Sequence, residues 1–150
     1  MALSERKILL LVDDNALECD LLETAWAEAG YREVIDLHAC ATCERAVTWL
    51  HGSIFQALTP IGILVDLLLT DRSGQLAVDT LAAYVSRMDL PIWAWSGIQL
   101  GRSEPRRVTR HGVRFFRKPE EALGFTRFAH RLFSNITGRS EGSSSRLPIA

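Results

Sequence analysis

The sequence predicts an α/β fold, a parallel sheet covered by helices on both faces. Three observations lead there. Five strand-like stretches alternate with five helix-like stretches, the order that crossover connections wind into a parallel sheet. Two of the strand stretches, Lys7–Val12 and Ile61–Asp66, are nearly unbroken apolar runs, as strands buried on both faces require. Polar residues follow the strand ends, where open α/β sheets bind their ligands.

The elements come in order. Lys7 to Val12 is the first strand and ends in Asp13, Asp14 and Asn15. Leu17, Leu21, Leu22 and Ala25 then recur at helical spacing up to Gly30, a residue that suits a helix end. Glu33 to Ala39 is a weaker second strand, and Thr42 is placed to cap a helix through Ala46, Val47 and Leu50. A looser stretch, Ser53 to Pro60, leads into the third strand, which ends at Asp66. After a loop to Gly74, Leu76 to Met88 has a third helical pattern. Ile92 to Trp95 is the fourth strand, followed by Ser96 and Gly97; Trp93 and Trp95 alternate on it and are assigned to core packing. Ser103 and Pro105 open a short fourth helix to Arg110, Val113 to Arg117 is the fifth strand, and Lys118 and Pro119 follow. Glu120 to Ile136 is the last helix, with Glu120 and Glu121 in its first turn, where the helix dipole favours acids.

Composition limits the function. The chain has 150 residues, 47% hydrophobic and 23% charged, which suits one soluble domain with a real core. That domain is expected over 5–137, with a Ser/Gly/Arg-rich, disordered tail over 138–150. A net charge of −1 argues against a general nucleic-acid-binding surface. No apolar run approaches the roughly 20 residues needed to span a bilayer, and the polar start does not resemble a signal peptide. The expected location is the cytoplasm. Three cysteines, Cys19, Cys40 and Cys43, fit reduced thiols better than a disulfide framework. Cys40 and Cys43 have no second pair to complete a zinc site, so they are assigned to packing.

The strand ends carry the chemistry. They deliver Asp13, Asp14, Asp66, Ser96 and Lys118 to one edge. Clustered carboxylates repel one another unless a cation intervenes, and Mg²⁺ commonly takes one or two carboxylates plus waters and a phosphate. Mg²⁺ and Lys118 would neutralise a phosphoryl group, Ser96 would hydrogen-bond one of its oxygens, and Asp66 would be the nucleophile.

In these motifs the chain resembles a response-regulator receiver domain, the CheY-like family. The residues that carry the resemblance are Val12–Asn15, Leu64–Leu69 with Gly74, Trp95–Gly97 and Phe115–Pro119. The resemblance implies a doubly wound, flavodoxin-like five-stranded sheet of order 2-1-3-4-5. It implies that Asp66 accepts a phosphoryl group from a histidine kinase or phosphotransfer protein. Asp14 would bind Mg²⁺ directly and Asp13 through water, with Asp66 and the Leu68 backbone carbonyl as further ligands. Ser96 and Lys118 would hold the phosphoryl oxygens, and Phe115 would be the switch aromatic. Such a protein is a switch in a two-component pathway rather than an enzyme. It signals by protein contact through the fourth helix, fifth strand and fifth helix, to a downstream target or a second copy. Thirteen residues follow position 137, too few for an effector domain, and no DNA-binding motif is among them, so a stand-alone regulator is expected.

The departures are also informative. Thr70 stands where the family usually has Pro, which leaves the loop after Asp66 freer. The segment between Ser96 and Lys118 is slightly short. Leu68 and Ile98, two residues after Asp66 and Ser96, are bulky and apolar where the family tunes access of water, so slow autodephosphorylation is expected. Arg102, Arg106, Arg107, Arg110, Arg114 and Arg117 cluster on or beside the output face and are read first as a solvated surface, second as a docking patch for an acidic partner. Two other functions compete. A phosphohydrolase of the haloacid-dehalogenase type would need an Asp at the position of Leu68. A degenerate, unphosphorylated receiver would not need Asp13, Asp14, Asp66, Ser96 and Lys118 intact.

Overall fold

A computed structural model describes residues 6–53, 56, 58–97 and 112–139. In chain order the elements are β1 (Arg6–Val12), α1 (Ala16–Glu28), β2 (Asp36–Cys40), α2 (Cys43–Ser53), β3 (Leu58–Asp66), α3 (Ala77–Val85), β4 (Ile92–Ser96), β5 (Arg114–Arg117) and α4 (Gly124–Arg139). The strands form one five-stranded sheet, all parallel, of order β2-β1-β3-β4-β5. This is the architecture and strand order expected. The fourth helix expected over 103–110 lies outside the described residues, as do Ile98, Arg102, Arg106, Arg107, Arg110 and the tail from residue 140.

The unbroken apolar runs are explained by two cores. Because side chains alternate along a strand, Leu10, Val12, Ile63, Val65 and Ala94 face one side, against Ala46 and Leu50 of α2 and Val78 and Leu81 of α3. Leu9, Leu11, Leu64, Trp93, Trp95 and Phe116 face the other side, against Leu22 and Trp26 of α1 and Phe128 and Leu132 of α4. Cys40 and Cys43 sit in the first core and Cys19 in the second, each as a free thiol. Burial pushes the Cys40 and Cys43 thiols up to about 11, so they pack as small apolar groups.

Several boundaries differ from the sequence reading. β2 begins at Asp36 rather than Glu33, because Tyr31–Glu33 forms a turn of 3₁₀ helix first. β3 begins at Leu58, so Pro60 lies within the strand and not at its edge. Ile8 pairs with Pro60 and Leu9 with Gly62, which leaves Ile61 as a bulge; a bulge is where a sheet tolerates a residue without an N–H. The last helix starts at Gly124, four residues later than expected. Residues 119–123 turn instead, with Gly124 N–H donating to Glu121 O at 2.9 Å and Phe125 N–H to Ala122 O at 3.1 Å. The chain folds back so tightly there that a Cβ on Gly124 would lie 2.9 Å from Pro119 Cβ. Glu120 and Glu121 are therefore not first-turn residues; Glu120 pairs with Arg117 at 3.2 Å on the surface.

Candidate functional site

Short backbone hydrogen bonds hold the strand ends in register. Asp13 N–H donates to Cys40 O at 3.0 Å, Leu67 N–H to Trp95 O at 2.9 Å, and Lys118 N–H to Ser96 O at 2.8 Å. They bring Asp13, Asp14, Asp66, Ser96 and Lys118 to the carboxyl edge of the sheet, as the strand patterns predicted. Ser96 is fully buried and Asp13 nearly so, while Asp14 is exposed.

The three aspartates each offer an oxygen within 4.8 Å of the others. Asp13 Oδ1 accepts from Asn15 N–H at 2.9 Å. Its Oδ2 is buried and makes no hydrogen bond among the described residues. The Lys118 ammonium lies 2.9 Å from that oxygen, an ion pair whose approach is off the hydrogen-bonding direction. A buried carboxylate oxygen in this condition is costly. A hard cation with its waters would satisfy it, and an all-oxygen donor set of this kind fits Mg²⁺ better than a soft metal. The cluster could therefore hold a divalent metal.

Asp66 is half-buried. Its Oδ1 accepts from the Leu68 N–H at 3.1 Å, and its Oδ2 lies 3.6 Å from Lys118 Nζ. Burial pushes its pKa up, and the Asp13 and Asp14 charges add to that; the Leu68 amide and Lys118 oppose it. Burial works against the charge of Lys118 too. The hydrogen bond to Glu18 and the close Asp13 and Asp66 carboxylates outweigh it, so the Lys118 pKa is raised and the group remains an ammonium. That ammonium also lies 5.0 Å from the centroid of the Trp95 ring.

Among solved structures the chain is similar to receiver domains. A phosphorylated cyanobacterial phytochrome response regulator aligns with a TM-score of 0.72 at 18% identity, over 93% of this chain and 97% of that one. A CheY-like receiver domain from Methanospirillum hungatei aligns with a TM-score of 0.68 at 15% identity, over 92% and 100%. A putative response regulator from Chloroflexus aurantiacus aligns with a TM-score of 0.64 at 24% identity, over 90% and 100%. The fold is the receiver fold. No protein-family model and no curated protein matches the sequence.

Within this receiver fold, Phe115 is half-buried on β5 and packs against the core shared with α2 and α3. Leu68 is 52% exposed beside Asp66. The Asp66–Gly74 loop is braced, contrary to the freedom expected from Thr70. Thr70 bridges to Leu76, Leu69 O accepts from Ala77 N–H at 2.7 Å, and Glu44 of α2 accepts from Arg72 N–H at 2.8 Å. The brace centres on Asp71, whose Oδ1 accepts from Ser73 N–H, Ser73 Oγ and Gln75 N–H, and whose Oδ2 accepts from Thr80 Oγ1 at 2.6 Å.

Two residues at the site escaped the sequence reading. Asp71 fell unremarked within the loop that runs to Gly74. Glu18, in the first turn of α1, accepts from Lys118 Nζ at 2.7 Å. Its signal was the Asn15-x-x-Glu18 spacing, which marks a helix N-terminus but does not say where the carboxylate points. No helix among the described residues is long and apolar enough to cross a membrane.

Proposed function

We propose that this chain is a phosphorylation switch of a two-component pathway, with Asp66 as its phosphoacceptor. The observation that carries this reading is the convergence of Asp13, Asp14 and Asp66 within 4.8 Å at the sheet edge, with the Lys118 ammonium 3.6 Å from Asp66. Phosphoryl transfer asks a protein mainly for positioning and for neutralisation of charge, and these groups supply both.

The Asp66 carboxylate attacks the phosphorus of a phosphohistidine on a kinase or phosphotransfer protein. The bond from phosphorus to the donor breaks with its electron pair left on the donor, and a new P–O bond makes Asp66 an acyl phosphate. Asp13, Asp14, Asp66 and the Leu68 carbonyl would hold Mg²⁺, which neutralises phosphoryl charge when bound. Lys118 gives its ammonium to a phosphoryl oxygen, and Ser96 gives its hydroxyl. Drawing Ser96 toward the phosphoryl group opens room for Phe115 to turn inward, a local charge event that biases a two-state element. The output surface is then β5 with its flanking helices, read by a downstream protein or a second copy. The chain's catalysis is confined to its own phosphorylation and slow dephosphorylation, in the cytoplasm.

The test is incubation with Mg²⁺ and acetyl phosphate, followed by intact mass. One phosphoryl group is expected on the wild type and none on Asp66→Asn. No addition to the wild type from this donor or from a phosphorylated phosphotransfer protein would replace this reading with that of an unphosphorylated interaction module. Steady turnover of a phosphate ester would favour a phosphohydrolase.

A further inference from the structure

The site holds a fourth carboxylate that neither the metal cluster nor the phosphoacceptor uses. Lys118 Nζ lies 2.7 Å from Glu18 Oε1, 2.9 Å from Asp13 Oδ2 and 3.6 Å from Asp66 Oδ2. Of the three, only the Glu18 contact is a hydrogen bond. The lysine is thus hydrogen-bonded to Glu18 of α1 and ion-paired with Asp13, and it stands beyond hydrogen-bonding distance of Asp66.

The position of Glu18 is fixed by the helix start. Asn15 caps α1 and accepts from Glu18 N–H at 3.0 Å. A glutamate at this place in a capping box normally returns its carboxylate to the cap residue's N–H. Here that N–H is already taken by Asp13 Oδ1 at 2.9 Å. Deprived of that partner, the Glu18 carboxylate turns to Lys118, whose side chain is 6% exposed against 24% for Glu18. The partner is buried enough for the pair to matter and open enough for it to break.

We propose that Glu18 is a positioning residue that holds Lys118 away from Asp66 and slows its phosphorylation. This rests on Asp66 being the phosphoacceptor. To reach a phosphoryl oxygen on Asp66, Lys118 must give up Glu18, and the incoming phosphoryl anion must compete with a resident carboxylate for the same ammonium.

The rate of phosphoryl transfer from acetyl phosphate with Mg²⁺, followed by intact mass on the full chain, tests this. In that step the P–O bond to acetate breaks, acetate leaves with the electron pair, and the new P–O bond forms to Asp66. Glu18→Gln keeps an oxygen acceptor for Lys118 and removes the charge; it should be phosphorylated about five- to tenfold faster than the wild type. Glu18→Asp keeps the charge but is one methylene too short to hold Lys118, and it should also be faster. In a Lys118→Gln background, which lowers the rate by itself, Glu18→Gln should change nothing, because Glu18 acts through Lys118.

A Glu18→Gln rate no faster than the wild type would sink the proposal while leaving Asp66 as the acceptor. So would the same acceleration in the Lys118→Gln background, which would make Glu18 a charge acting on the donor directly. Should Glu18→Gln fail to fold by its thermal transition, the rate of Glu18→Asp decides. If the wild type itself takes no phosphoryl group on Asp66, the function and this proposal fall together, an outcome distinct from the others.

Discussion

Gly62 in β3 lies against the indole of Trp93 in β4: a Cβ at position 62 would sit 2.5 Å from Trp93 Cζ3 and 3.2 Å from the Pro91 carbonyl oxygen. The glycine follows the Ile61 bulge and lets two central strands meet around a tryptophan that is 1% exposed. Trp93 is anchored at its far end by its indole N–H, which donates to Asn135 Oδ1 of α4 at 2.7 Å. The ring therefore has little freedom to move away.

Gly62→Ala is expected to cost about 2 kcal/mol, the usual scale of overpacking in a closed core. A urea titration read by far-UV circular dichroism checks it. Adding Trp93→Phe, which removes the clashing ring, should make the pair of substitutions less damaging than the sum of the two singly. Additive losses would mean that the close approach is not the cause.

Asp71 makes acid stability a second test. Hydrogen bonds from Ser73 and then Thr80 hold its carboxyl down at about 2, against an ordinary value of 3.8. A carboxyl lowered on folding contributes stability above its ordinary pKa and loses it as the pH falls toward the lowered one. The difference in urea midpoint between wild type and Asp71→Asn should be widest above about pH 5 and should close progressively between pH 4 and pH 2. A gap that stays constant across that range would show that Asp71 does not brace the loop as a carboxylate.

These two residues also mark what was legible in the sequence. The apolar runs ending in Asp13, Asp66 and Ser96 could be read because a strand buried on both faces has one composition and its carboxyl end one place in the sheet. Lys118 followed from the same logic. The start of β3 could not be read that way: Leu58 to Pro60 pair only because β1 accepts a bulge opposite Ile8 and Leu9. Glu18 was legible as a helix-start residue but not as a partner of Lys118, since that depends on Asp13 having taken the Asn15 N–H. Asp71 and Thr80 meet across the loop from β3 to α3, and the substitution of Thr70 for Pro said nothing of it. The late start of α4 follows from the backbone turning on Pro119, which outweighs the favourable place for Glu120 and Glu121 at a helix start.

Divalent-ion binding should be visible in stability. Burial raises the Asp66 carboxyl above its ordinary 3.8, with Asp13 and Asp14 reinforcing the shift. A carboxyl raised on folding costs the folded state stability once the pH exceeds that raised value. Asp66→Asn removes this cost, so at neutral pH without divalent ion its thermal midpoint should lie above that of the wild type. Mg²⁺ at a hundredfold excess over its dissociation constant should stabilise the wild type by about 2.7 kcal/mol and Asp66→Asn by less. An equal gain in both proteins would remove Asp66 from the ligand set.

If Asp66 is the phosphoacceptor proposed above, the lifetime of its phosphoryl group depends on water reaching it, and Leu68 stands beside Asp66 with half of its surface open. Its N–H donates to Asp66 Oδ1 at 3.1 Å, which ties the residue's backbone to the carboxylate it adjoins. The apolar side chain can neither orient a water by hydrogen bonding nor accept its proton, both of which hydrolysis in this position would use. Replacing Leu68 with Asn and Ile98 with Glu supplies a hydrogen-bonding group and a base. The phosphorylated double variant should lose its phosphoryl group about tenfold faster than the wild type, a barrier lower by about 1.4 kcal/mol. The measurement is intact mass against time after removal of the donor, with Mg²⁺ held constant. Leu68→Ala separates the two ways in which leucine could act: if bulk alone excludes water, alanine should accelerate the loss as much as the double variant. If the missing polar group matters most, alanine should stay close to the wild type. A half-life in the double variant no shorter than in the wild type would mean that these two positions do not set the phosphoryl lifetime in this chain.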